Sequence, residues 1–123
     1  MVCEVAGKGR GVVAGRRFRR YEVVASAPVV VLAADDWARV EMGILREYAF
    51  KWDEETGERA VALSVASLFN HSYQPNTCPK LRIAERLIDF LALCDIDAGD
   101  ELTFNYNGRP GDASLLWFDV AGD

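Results

Sequence analysis

No stretch of this 123-residue chain approaches the roughly 18 consecutive apolar residues that a membrane helix requires, although 50% of its residues are hydrophobic. The opening Met1-Val2-Cys3-Glu4 has no basic region leading into an apolar run, so no secretory signal is expected. Cysteine is scarce. Cys3, Cys78 and Cys94 are odd in number and far apart, which argues against a disulfide framework and for a reducing, cytoplasmic setting, or a host nucleus if a virus or pathogen encodes the chain. A single histidine, His71, with scattered cysteines makes no zinc site by spacing, so no metal is expected. Positive charge is also short: 14 Lys and Arg against 19 Asp and Glu leave a net charge of −5. That balance argues against general nucleic-acid binding and, beyond serving solubility, could attract a basic peptide. Repeats, low-complexity stretches and long linkers are absent, and nothing alternates long helices with strands, which excludes a doubly wound sheet. One domain over residues 1–123, with no membrane segment, is the reading that remains.

What is present reads as mostly β with short helices. Gly7–Gly11 is a glycine-rich turn between Cys3–Val5 and Val12–Ala14. Glu22–Ser26 and Val29–Leu32 are rich in β-branched residues and are separated by Pro28, predicting two strands or a bent pair. Asp35-Asp36-Trp37 can start a helix, with Asp as cap and Val40, Ile44 and Leu45 following at helical spacing. Tyr48–Trp52 and Val61–Leu63 read as strands across the charged turn Asp53–Glu58, and Val65–Phe69 as a single helical turn. His71–Pro79 reads as a loop, and Leu81–Ile83 with Leu87–Leu93 as a hairpin across Ala84-Glu85-Arg86. Glu101–Tyr106 is the last strand, after the turn Asp97–Asp100. The tail then carries the apolar cluster Leu115-Leu116-Trp117-Phe118.

Three segments could carry chemistry. Gly9-Arg10-Gly11-Val12-Val13-Ala14 formally fits a dinucleotide fingerprint, but no amphipathic helix follows to hold a pyrophosphate, and no Lys-Ser or Lys-Thr follows to make a phosphate loop. A hairpin, or backbone held against a small ligand with Arg10 near that ligand's carboxylate, are the readings left. Ser67–Asn76 turns abruptly polar. Asn70 offers both donors and an acceptor, which suits an adenine edge, but a loop whose side chains satisfy backbone groups fits the same composition. His71 beside a cysteine could in principle form a nucleophilic pair, yet no cysteine sits in an activating context, and Asn70-His71-Ser72 is a formal sequon with no secretory context. In Asp97–Tyr106, Phe104 and Tyr106 share one face of a strand, which by itself would be an aromatic core face.

In this order, Gly9-Arg10-Gly11, Asn70–Asn76 with Leu68-Phe69 before it, and Gly99–Tyr106 resemble the SET-domain family of protein lysine methyltransferases. The match runs over about residues 3–108, leaving 109–123 as a tail, and is nearer to the short stand-alone SET proteins of bacteria and large viruses than to long chromatin enzymes. The resemblance implies a β-clip fold whose C-terminal segment is threaded through a pseudoknot. It implies S-adenosylmethionine as methyl donor, giving S-adenosylhomocysteine, with Gly9, Arg10, Gly11, Asn70 and His71 on the donor. It implies Tyr106 as catalytic tyrosine, Tyr48 as a more loosely aligned second channel tyrosine, and Phe104 as the residue that limits how many methyl groups fit. The chain has no cysteine after Cys94, so the cysteine-rich zinc cluster of many relatives is missing. Trp117 and Phe118 are then candidates to close the site, Trp117 against the donor, unless they simply pack on the core. Asn105 stands where an aspartate is common. A basic, histone-like protein is the expected substrate, and a homodimer could supply missing recognition surface. The alternatives are a non-catalytic interaction module that kept the fold and a purely structural β domain.

Overall fold

The computed structural model describes residues 1–106 and Gly111. β1 (Val2–Val5) and β2 (Gly9–Val12) form an antiparallel hairpin, with Cys3 opposite Gly11 and Val5 opposite Gly9. The Gly-Arg-Gly run is therefore not the turn that the sequence suggests: the turn is 6–8, and Gly9 to Gly11 already lie in the strand. Two glycines there answer different needs. Gly9 holds φ at +75°, a region that side chains disfavour. Gly11 needs room rather than an unusual dihedral, as its surroundings show below.

The main sheet has five antiparallel strands in the order β4-β5-β3-β8-β7. They are β3 (Val23–Leu32), β4 (Ala49–Asp53), β5 (Glu58–Ala62), β7 (Thr77–Arg82) and β8 (Leu87–Ala92). The two strands expected around Pro28 are one. Val23–Pro28 pairs with β8 and Val29–Leu32 with β5, so the residue without an N–H sits where the strand changes partner. Pro28 keeps its carbonyl useful by accepting from the Leu63 amide. The expected loop 71–79 is likewise interrupted, because β7 begins at Thr77 and a two-residue strand, β6 (Asn70–His71), precedes it.

The helical segment departs most from its pattern. α1 covers Ala34–Val40, with Ala33 and not an aspartate at the cap, and Asp35 and Asp36 in the first turn, where their charge suits the helix dipole. It buries no residue, and Ile44 and Leu45 belong to a separate 3-10 turn, Ile44–Glu47. A second 3-10 turn, Val65–Leu68, is capped by the Ser64 hydroxyl accepting from the Ala66 amide. No helix among the described residues is long and apolar enough to cross a membrane.

The core gathers one face of this sheet with the first hairpin and the segment 96–104: Phe69, Ile88, Phe90, Ile96, Leu102 and Phe104 pack with Val12 and Trp52. Phe50 stacks on Phe104 with ring centroids 5.3 Å apart, and Phe90 meets Phe69 and Phe104 edge-on at 5.1 and 5.6 Å. Each such ring pair adds about 0.5–1.5 kcal/mol beyond the area it buries. The last strand is shorter than expected: regular pairing is confined to β9 (Thr103–Phe104), which runs parallel to β6. The threaded tail expected after Tyr106 and the Leu115–Phe118 cluster lie outside the described residues.

Candidate active site

Residues 100–106 run between two partners. On one side the Leu102 amide donates to Val12 O and the Ala14 amide donates to Asp100 O, both at 2.8 Å. On the other side β6 pairs with β9, Asn70 opposite Thr103 and His71 opposite Phe104. The three segments singled out in the sequence thus lie side by side, with the closing strand in the middle.

Side chains complete what so short a ladder cannot. Asn76 stands in for a strand partner: its Oδ1 accepts from the Thr103 amide at 2.9 Å and its Nδ2 donates to Glu101 O at 2.7 Å. The Thr77 hydroxyl donates to Thr103 O at 2.6 Å, and the Ser72 amide to Phe104 O at 3.1 Å. His71 Nδ1 accepts from the Tyr106 amide at 2.9 Å. Within this polar run His71, Ser72 and Thr77 are buried, and each is hydrogen-bonded to the closing strand, which is how buried polar groups avoid the cost of desolvation.

Tyr106 is half-buried, and its hydroxyl donates to Phe69 O at 2.7 Å, one residue before Asn70. Its ring lies 4.8 Å from that of Phe104 and 5.2 Å from His71. Beyond His71, the Tyr73 ring stands edge-on at 4.4 Å. Phe104 itself is a core residue, 6% exposed, so among the described residues it reads as the floor beneath Tyr106. Tyr48 ends the 3-10 turn at Ile44–Glu47 and is half-buried. Phe50, two residues later, is the ring of that stretch in contact with Phe104.

Asn70 sits at the other end. Its Nδ2 donates to Arg10 O at 3.2 Å and to Glu101 Oε2 at 2.7 Å. Both nitrogen protons are thus bonded within the protein, and the carbonyl oxygen remains as an acceptor. Arg10 contributes its carbonyl, while its side chain is exposed. Glu101 also accepts from Lys8 Nζ at 3.1 Å, an ion pair with both side chains more than four-fifths buried. A carboxylate so placed needs its partners, because a buried charge left alone is costly. β2 presses close to this group. A Cβ on Gly11 would fall 2.7 Å from Asn70 Nδ2 and 2.8 Å from Glu101 Oε2, so only glycine fits.

Lys8, Glu101, Asn76, Phe50 and Tyr73 were given no individual role from the sequence. Lys8, Glu101, Asn76 and Phe50 reach their partners across long sequence separations, which spacing does not reveal, whereas Tyr73 meets His71 only two residues away. Trp117, expected against the donor, lies with Phe118 outside the described residues. Among the described residues no group of three or more His, Cys, Asp or Glu side chains could hold a metal ion. Burial pushes the Cys78 thiol up, the opposite of what an activated nucleophile needs.

A family model for the SET domain matches residues 9–107, which include all three converging segments. The chain belongs to the SET-domain family. It is 30% identical over 113 residues to the Schizosaccharomyces pombe histone-lysine N-methyltransferase specific for H3 lysine-37, a match covering 91% of this chain and 71% of that one. The fold is shared with a Plasmodium falciparum candidate histone methyltransferase, with a TM-score of 0.71, 21% identity, and 86% of this chain on 90% of that chain. It is also shared with Polycomb Repressive Complex 2 of Chaetomium thermophilum in an autoinhibited state bound to S-adenosylmethionine, with a TM-score of 0.71 and 27% identity. There the match covers 85% of this SET chain but 14% of that much longer one. SET-domain lysine methyltransferases take their methyl group from S-adenosylmethionine, and lysine methyl transfer is the chemistry of this chain.

The donor set of this SET domain fits that methyl donor, which carries a sulfonium and an ammonium charge. Asn70 Oδ1 is an acceptor whose amide is held in place by its own nitrogen bonds, and Tyr106 supplies a hydroxyl oxygen beside aromatic rings.

Proposed function

We infer that the chain methylates a lysine side chain of a basic, histone-like protein, with the donor held by Gly9, Arg10, Gly11, Asn70 and the backbone of His71 and the reaction taking place at Tyr106. One observation carries this reading: the Tyr106 hydroxyl is bonded to the carbonyl of Phe69, the residue that leads into Asn70, so tyrosine and donor motif share one backbone. The S. pombe relative acts on a histone, and that supports the substrate class.

When bound, S-adenosylmethionine supplies a methyl group already activated on sulfonium sulfur, so no residue is needed to make a leaving group. The protein's work is alignment and deprotonation. Holding the amine in line with the methyl group and sulfur is worth several kcal/mol of barrier. The lysine must also be neutral. With a free amine pKa of about 10.4, neutrality near pH 7 costs roughly 4–5 kcal/mol. Aromatic surroundings of the kind made by Phe104, Tyr106 and Tyr73 reduce that cost by desolvating the ammonium. Because Tyr106 donates its proton to Phe69 O, its oxygen lone pairs are directed away from that bond, where they can contact the polarised methyl C–H or accept from the amine. Tyr48 would line the amine's path, and Trp117 would cover the donor.

Incubation with labelled S-adenosylmethionine and a mixture of basic proteins tests the assignment. Label on lysine is expected, and donor binding without transfer would favour an interaction module instead. Tyr106→Phe should lower turnover on the order of 10²-fold or more, the scale of losing one preorganised polar contact at a reacting centre. Unchanged turnover would remove Tyr106 from the mechanism. A homodimer would complete the substrate groove, which sedimentation of the active protein can decide.

A further inference from the structure

We propose that the His71 side chain positions Tyr106, its imidazole serving the tyrosine and leaving to the backbone of residue 71 any contact with the methyl donor. This deepens the methyltransferase reading and rests on it. The regular pairing of β6 with β9 ends at His71 and Phe104. Regular pairing stops there among the described residues, and the Tyr106 amide needs an acceptor. His71 Nδ1 provides it at 2.9 Å, so a side chain adds the rung that the backbone lacks. The imidazole is 3% exposed and is held between two rings, Tyr106 at 5.2 Å and Tyr73 at 4.4 Å, both edge-on.

The geometry sets the chemistry. A nitrogen that accepts an N–H bond carries a lone pair, so the neutral ring bears its proton on Nε2. With the amide of Tyr106 tied to His71 and its hydroxyl tied to Phe69 O, the tyrosine is fixed at both ends by adjacent parts of one segment, 69–71. Loosening the amide end would let the hydroxyl drift from the reacting atoms, and a displacement of about 1 Å there can cost on the order of 10²-fold in rate. The two nitrogens make the idea separable from general packing. The side-chain oxygen of asparagine reaches about as far as Nδ1, whereas that of glutamine reaches about as far as Nε2.

Three variants test it at saturating donor and substrate. His71→Leu is expected to lower kcat on the order of 10²-fold with the donor Kd, measured by calorimetry, changed by less than about threefold. His71→Asn should recover most of that loss, and His71→Gln should not. A rise in Kd with kcat intact would make the His71 imidazole a donor ligand and overturn the proposal, as would equal impairment of the Asn and Leu variants. If a variant fails to fold, the wild-type protein still decides. In ¹⁵N-labelled protein, a scalar coupling across the hydrogen bond between the Tyr106 amide nitrogen and His71 Nδ1 is expected, and its absence overturns the clasp. A wild-type protein that shows the coupling but transfers no methyl group would instead refute the methyltransferase reading and leave the clasp standing.

Discussion

Two regions of this molecule reverse the usual rule about what goes inside. Residues 34–47 carry Val40, Ile44 and Leu45 at spacings that suggest a buried helical stripe, yet Ile44 is 69% exposed and Leu45 42%. Residues 70–77 with 101–106 are rich in Asn, His, Ser and Thr, yet Asn105 is 1% exposed and Thr77 fully buried. The difference lies in partners. The helical segment has little to pack against, because β3 and β5 offer it few neighbours. The polar segment finds a hydrogen-bond partner for group after group on the closing strand. Burial here follows satisfaction of polar groups and the proximity of other chain, and not side-chain polarity.

If that contrast holds, substitutions should have opposite weights to those that hydrophobicity suggests. Asn76→Ala should cost the most, about 2–4 kcal/mol, because it strands the Thr103 amide and Glu101 carbonyl together. Urea unfolding measures this, and a loss below about 1 kcal/mol would break the comparison. Gly11→Ala comes next, at about 1–3 kcal/mol, since its Cβ would meet Val5, Asn70 and Glu101 at once. Donor binding should weaken with it, so calorimetry and thermal melting should move together.

Asp89 tests an ordinary sheet carboxylate against the clamp. The Ser26 hydroxyl at 2.6 Å, aided by Arg82, holds its carboxyl below the usual range. A lowered folded pKa contributes stability that is present above the unfolded value, about 3.9, and is lost as pH falls through the lower folded one. Asp89→Asn should therefore cost about 1 kcal/mol near neutral pH, a difference in melting that shrinks below about pH 4. A difference that stays constant from pH 7 to pH 3 would show that the charge is irrelevant. Ile44→Ser should be the mildest, within about 0.5 kcal/mol, despite replacing a large hydrophobe.

Much of the fold was legible because local pattern and tertiary structure agree. β-branched runs became β3, the Asp53–Glu58 turn joined β4 to β5, and the turn at Ala84-Glu85-Arg86 joined β7 to β8. The motifs Asn70–Asn76 and Gly99–Tyr106 pointed to one site by order and type. What they could not show was direction. Asn70 turns its nitrogen inward to Arg10 and Glu101, and His71 turns a ring nitrogen to Tyr106, because each position is decided by chain 31 to 60 residues away. The strand through Pro28 was misread for a related reason: a missing N–H breaks a strand only if a partner needs it, and there the strand is changing partners.

The parallel pairing of Asn70 with Thr103 has a kinetic consequence. The β7–β8 hairpin lies wholly between these residues and brings Thr77 next to Ala92 through local contacts alone. Once it zips up, most of the intervening loop is already closed, and the entropy still to be lost in bringing the two walls together falls. The pairing of β6 with β9 should therefore form after the hairpin and open before it.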